Sequence, residues 1–177
     1  NMTSKRHFEG ILHKLRGFSQ EADESSVAAQ KDTFNSLSDQ SFKFMNYGRE
    51  SILPGETVQQ FIFQPGIKNP FFTIFGMTFY KPAALAHMVV RTDHELILIE
   101  ETGDDKEMSP ARYGGIWQYI PLHCVDSVSV EETAEDRVKL LIRCQPDAVI
   151  EKIFDRSNLP ELERFCMDLQ TLIERSR

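Results

Sequence analysis

From Thr57 onward the sequence is a succession of short apolar segments, each stopped by turn residues. This pattern limits the chain to a mainly β fold. "TVQQFIF" (57–63) is rich in β-branched and aromatic residues and ends at Pro65-Gly66, a turn signal. "LAHMVVRT" (85–92) and "ELILIEE" (95–101) meet around Thr92-Asp93-His94 and pair naturally as a hairpin. "GIWQYIPL" and "CVDSVSVEE" come next, with Pro121 marking a bend or strand boundary. Val128 and Val130 alternate with Ser127 and Ser129, as in a half-buried strand, and "RVKLLIRC" puts Val138, Leu140 and Ile142 on one face. "AVIEKIF" is a seventh strand segment.

Helical spacing brackets these strands. At the end of the chain Asn158, Pro160 and Glu161 stand where a helix start wants a cap, a first-turn proline and a capping box. Leu162, Phe165, Cys166, Leu169, Leu172 and Ile173 then recur on one stripe. Near the beginning, Phe8, Ile11, Leu12, Leu15 and Phe18 make a second amphipathic stripe, broken at Gly17 and "SQEADESS". A weaker helix runs through "VAAQKDTFNSL", where Val27, Phe34 and Leu37 share a face. The expected order is two helices over the first 45 or so residues, seven strands and one closing helix. That is a mainly β fold with flanking helices, of the α+β class.

Charge narrows the partners. The chain carries 20 Lys and Arg against 27 Asp and Glu, a net −7, and residues 102–177 hold 10 basic and 15 acidic groups. No basic run is present to attract a phosphate backbone, so nucleic acid is not an expected partner. No stretch has the ~18–20 apolar residues of a spanning helix, and "NMTSKRHFEGILHKL" lacks the apolar run of a signal peptide. Cys124, Cys144 and Cys166 are odd in number and widely spaced, which reads as reduced thiols in a cytoplasmic protein.

Three of the segments carry a resemblance. "ILPGE" (52–56) before the first strand, "VVRTDHELILIEE" and "YIPLHCVDSVSVEE" stand in order ahead of the closing helix. Over about residues 50–175 they resemble the bacterial pleckstrin-homology-like (PH-like) domains and the related GRAM domains. The resemblance implies a seven-stranded, partly open barrel capped by the C-terminal helix. It divides the chain into a helical extension at 1–49 and a PH-like domain at 50–177. His94 and Glu95 stand where many bacterial relatives have a basic pair. Phosphoinositide-binding members use several Lys and Arg in the loop between their first two strands. Here that loop, about 64 to 84, has only Lys68 and Lys81. No phosphoinositide is therefore expected, since a multiply phosphorylated headgroup calls for several charge-assisted bonds.

The same loop contains "NPFFTIFGMTFYKP" (69–82), too long for an ordinary connection. Phe71, Phe72, Ile74, Phe75, Met77, Phe79 and Tyr80 are its candidate contact residues. Three readings stay open for them: an addition to the core, an interface with a protein partner or a second copy, or a wedge in a membrane surface. Catalysis finds no constellation. His7 and His13 are six apart, and His87 lies in a strand. His94 lies in a turn, and the neighbours His123 and Cys124, read as strand residues, point apart. Asp104, Asp105 and Glu107 lack the spacing of a calcium loop, and Gly114-Gly115 reads as a strand entry. Trp117 fits either the core or an outer face. The expectation is a module with no cofactor or metal that works by contact, with a protein or its own copy first and a membrane surface second.

Overall fold

The computed structural model describes residues 24–102, 114–134 and 136–175. The stripe Phe8–Phe18 and the acidic loop at Asp104, Asp105 and Glu107 lie outside the described residues. The chain divides into two compact units, residues 1–59 and 60–177.

In the first unit, α1 (Glu24–Asp32) runs into a 3₁₀ turn (Thr33–Leu37), and α2 (Phe42–Ser51) follows. Ser41 starts α2 because its extended backbone lets the side-chain oxygen accept the Phe44 N–H at 3.2 Å. α2 continues past the 45 or so residues expected to be helical, since Phe44, Met45, Tyr47, Gly48 and Ser51 form its buried side. Gly48 is needed there: a Cβ at this position would lie 2.5 Å from the buried Phe34 ring. Arg49 ties α2 back, donating to Asp32 at 2.8 Å and to Asn35 at 2.6 Å.

The second unit holds the strands. They are β1 (Val58–Gln64, beginning at the junction), β2 (Ile67–Ile74), β3 (Met77–Ala84), β4 (His87–Thr92), β5 (Glu95–Glu101) and β6 (Gly115–Pro121). After a 3₁₀ turn come β7 (Val125–Ala134), β8 (Arg137–Cys144), β9 (Ala148–Asp155) and the helix α3 (Leu159–Arg175). The seven expected segments all form strands, while residues 64–84 form two more. β1-β4-β5-β6 make one sheet, β7-β8-β9 a second and β2-β3 a third. The sheet surface curls into a half-barrel, and α3 follows it.

The turn between β4 and β5 rests on Thr92, whose hydroxyl accepts the His94 and Glu95 N–H groups at 3.2 and 3.1 Å. That puts Val90 opposite Ile97. Both faces of β4 and most of β5 are buried, which explains why their sequences run apolar without alternation. Val89, Leu98, Val138, Leu140, Ile142 and Phe154 belong to one core with the α3 stripe Leu162, Phe165, Leu169 and Ile173. Each such side chain stabilises the fold by roughly 1.5–3 kcal/mol relative to leaving it in water. Leu172, on the edge of the stripe, is exposed.

A single amide fastens β1 to β9. The buried Gln64 Oε1 accepts from the Asp155 N–H at 2.7 Å and from Asn158 Nδ2 at 2.9 Å, and its Nε2 donates to the Pro65 carbonyl at 2.9 Å. Hydrogen bonds from the Ser157 side chain and from the Ser157 N–H, the latter at 2.9 Å, hold the Asp155 carboxyl below the usual range. The expected start of α3 is thus preceded by a 3₁₀ turn (Arg156–Asn158), and the Asn158 side chain reaches across to Gln64.

Candidate functional site

The stretch 67–84 forms a hairpin of its own. β2 and β3 pair antiparallel, with Ile74 opposite Met77, Thr73 opposite Thr78, Phe72 opposite Phe79 and Pro70 opposite Tyr80. A register shift between Pro70 and Phe72 inserts the extra residue Phe71. Phe71 lies in β2, and its side chain is outside the described part of the structure.

Only Phe75 and Gly76 lie between Ile74 and Met77, and both have positive φ, +51° and +76°. Two central residues at positive φ are the pattern of a type I′ turn, which matches the twist of a tight hairpin. Gly76 meets this demand without strain. Phe75 does not, because its Cβ crowds the backbone in the left-handed region. Its ring is 96% exposed, so no packing among the described residues offsets that strain.

Alternation sorts the remaining side chains. Phe72, Ile74, Met77 and Phe79 share one face of the ribbon, where the Phe72 and Phe79 rings stack at 4.7 Å between centroids. Thr73 and Thr78 share the other face, and their hydroxyls bond each other at 3.2 Å. Tyr80 follows on that face, 61% exposed, and Met77 is equally exposed. The two sides are therefore unequal, one wholly apolar and one carrying hydroxyls. At the base, Arg137 of β8 donates to Asn69. Lys68 and Lys81 are exposed there, and no Asp or Glu occurs between Thr57 and Thr92, in a chain with 27 of them.

Outside the hairpin, several titratable groups contact neighbouring elements. His87, 2% exposed, uses Nδ1 toward the Leu85 carbonyl at 2.9 Å and sets its ring edge-on against Phe154 at 4.7 Å. With the proton on Nδ1, Nε2 is a buried lone pair without a hydrogen-bond partner among the described residues. Burial holds His87 below the ordinary histidine range, while Lys152 and Glu100 beside it pull in opposite directions. Those two form their own pair at 2.6 Å. Arg91, mostly buried, meets Asp168 of α3 at 3.5 Å.

His123 and Cys124 sit in the 3₁₀ turn Leu122–Cys124, so strand alternation does not describe them. His123 is exposed and Cys124 half-buried. Burial raises the Cys144 thiol and pushes Cys166 up to about 11, which leaves both protonated near neutrality. Trp117 is half-buried opposite Ile99, and Gly115 opens β6. Among the described residues no three of His, Cys, Asp and Glu come together as a metal site, and no helix is long and apolar enough to cross a membrane.

The aromatic residues were legible as candidates, but the turn was not, since Phe-Gly is a poor match to the Asn-Gly or Asp-Gly of such loops. The two-residue break between alternating runs was the available signal. Comparison with protein-family models, curated proteins and solved structures finds no match to this chain.

Proposed function

We propose that this chain is a non-catalytic, PH-like binding module whose working surface is the β2–β3 hairpin. The PH-like reading is supported by its strand arrangement. Apart from the hairpin, seven strands fall into sheets of four and three and are followed by one helix. The binding reading is carried by one observation: Phe72, Ile74, Phe75, Met77, Phe79 and Tyr80 are all exposed on a single hairpin. Scattered exposed apolar residues are ordinary, but a contiguous group of this size marks a contact surface.

The module acts by contact rather than by chemistry. His87, Arg91, Lys152 and Glu100 each make their hydrogen bond or ion pair within the second unit. A protein partner, a second copy included, fits an apolar hairpin; so does a lipid surface.

The test compares the intact chain with a Phe72→Asp, Phe75→Asp double variant. Solution mass is read by light scattering and binding by co-sedimentation with phosphatidylcholine vesicles, with circular dichroism to establish folding. The reading expects a folded variant that loses either an oligomer or vesicle binding. A folded variant that matches wild type in both measurements removes it. So does one that unfolds, because the rings would then be core.

A further inference from the structure

The hairpin's polarity changes along its length, and this gradient discriminates between occupants. Counting from the turn, the levels are Phe75-Gly76, then Ile74 with Met77, Thr73 with Thr78, Phe72 with Phe79, Pro70 with Tyr80, and Asn69 with Lys81. At about 3.4 Å per residue, Tyr80 lies roughly 13 Å and Lys81 roughly 17 Å behind the tip. Interfacial elements sink about 5–10 Å into the boundary between headgroups and acyl chains. At that depth the tip and its first levels meet acyl chains. Tyr80 then lies at the headgroups, where its ring and hydroxyl are both satisfied, and Lys68 and Lys81 reach the phosphates.

The backbone agrees with shallow entry. A two-stranded ribbon leaves its outer edges unpaired, and such edges are excluded from the deep hydrocarbon. The Thr73 and Thr78 hydroxyls satisfy each other at 3.2 Å, which lowers the cost of bringing that level into the interface. Pro70 and Pro82 each remove an N–H from the ribbon, which disfavours extension of its edges by a partner's strand. Above all, the residue at the extreme tip is an aromatic held at φ +51°, where Asn or Gly would sit without strain. A protein bound to the flat face of the ribbon makes no use of that ring.

Charge sets what kind of lipid surface is favoured. The segment 57–92 is free of acids and carries Lys68 and Lys81 near the hairpin base, yet the chain as a whole is −7. Each lysine near an anionic surface adds about a fivefold gain, opposed by the net charge behind it. Apolar insertion therefore dominates.

We propose that the hairpin's occupant is a lipid surface, entered by the Phe75 tip as a wedge and held through acyl-chain packing defects rather than through headgroup charge. This rests on the binding-module reading above.

Co-sedimentation of the full chain tests it with three vesicles: phosphatidylcholine, the same lipid with diacylglycerol to open packing defects, and the same lipid with phosphatidylserine. Each is run at low and high salt. The expected result is tightest binding to the diacylglycerol vesicles, with less than about a threefold change between salts. Phe75→Asn should bind at least about tenfold more weakly, while Phe75→Trp keeps the affinity. Asparagine accepts the positive φ of the turn, so this variant keeps the hairpin. Binding that requires phosphatidylserine and is lost in salt overturns the proposal, as does Phe75→Asn binding like wild type. If vesicles are ignored but the hairpin variants change the solution mass, the occupant is a second copy. The lipid inference then fails while the binding-module reading stands. If neither vesicles nor mass respond, both fail.

Discussion

Replacing Phe75 with asparagine should make the hairpin more stable, although it deletes a large apolar side chain. The ring is 96% exposed, so its removal forfeits almost no burial. What it relieves is a backbone at φ +51°, a conformation costing an ordinary L-residue about 1–2 kcal/mol but adopted readily by asparagine. Asparagine ahead of Gly76 would also complete the Asn-Gly pair that this turn prefers. The net gain should be roughly 0.5–1.5 kcal/mol, allowing for incomplete relief. Phe75→Gly should gain less, because glycine loses about 0.5–1 kcal/mol more chain entropy on folding. Amide hydrogen exchange reads this directly. Where the hairpin opens by itself, protection of its cross-strand amides should rise about two- to tenfold in Phe75→Asn. Where it opens only with the whole unit, the gain appears as a higher urea midpoint with an unchanged slope. Lower protection in the asparagine variant would mean instead that the ring packs against something and is not held at a local cost.

Three further outcomes follow from other parts of the molecule. Burial depresses the folded-state pKa of His87, so below about 6.5 the unfolded chain takes up its proton first and stability falls with pH, by at most about 1.4 kcal/mol per unit, until the folded pKa is reached. Urea midpoints between pH 5 and 8 should show this limb flattened in His87→Gln, and an unchanged limb would assign the loss to other groups. Gln64→Ala removes three hydrogen bonds at the β1–β9 junction and should cost about 2–4 kcal/mol in denaturation; a loss below about 1 kcal/mol would show that water replaces the amide. Gly48→Ala gains about 1 kcal/mol of helix propensity but forces a Cβ to within 2.5 Å of Phe34, so the first unit should lose net stability, with partial recovery on adding Phe34→Leu; a neutral result would mean that the ring moves aside freely.

Much of the scaffold could be read before the structure because its residues report on local periodicity. Ser127 to Val130 alternate, and Leu162 to Ile173 recur at helical spacing, because each element buries one side against a common core. The hairpin at Thr92–Glu95 was legible for a similar reason, since its turn chemistry lies within four consecutive residues. α2 was harder, because Gly48 in its middle weakens helix propensity and its burial against Phe34 depends on residues fourteen positions away.

At the candidate site, amino-acid order alone singled out the apolar residues Phe71 to Tyr80 within a connection too long to be an ordinary loop and showed that only Lys68 and Lys81 accompany them. It could not say whether those side chains were covered, because a run of large apolar residues has the same composition in a core and on an exposed ribbon. Folding back at Phe75-Gly76 decided that. The register pairs Phe72 with Phe79 and Thr73 with Thr78, gives the two faces different chemistry, and leaves Phe75 at the tip. The roles of Gln64 and His87 were equally out of reach, since each depends on partners in distant strands: Asp155 for one, Phe154 for the other. Local sequence determined which segments are strands and helices through short-range sterics and periodicity. Burial, pairing and exposure are relations between distant residues, and they exist only once the chain has folded.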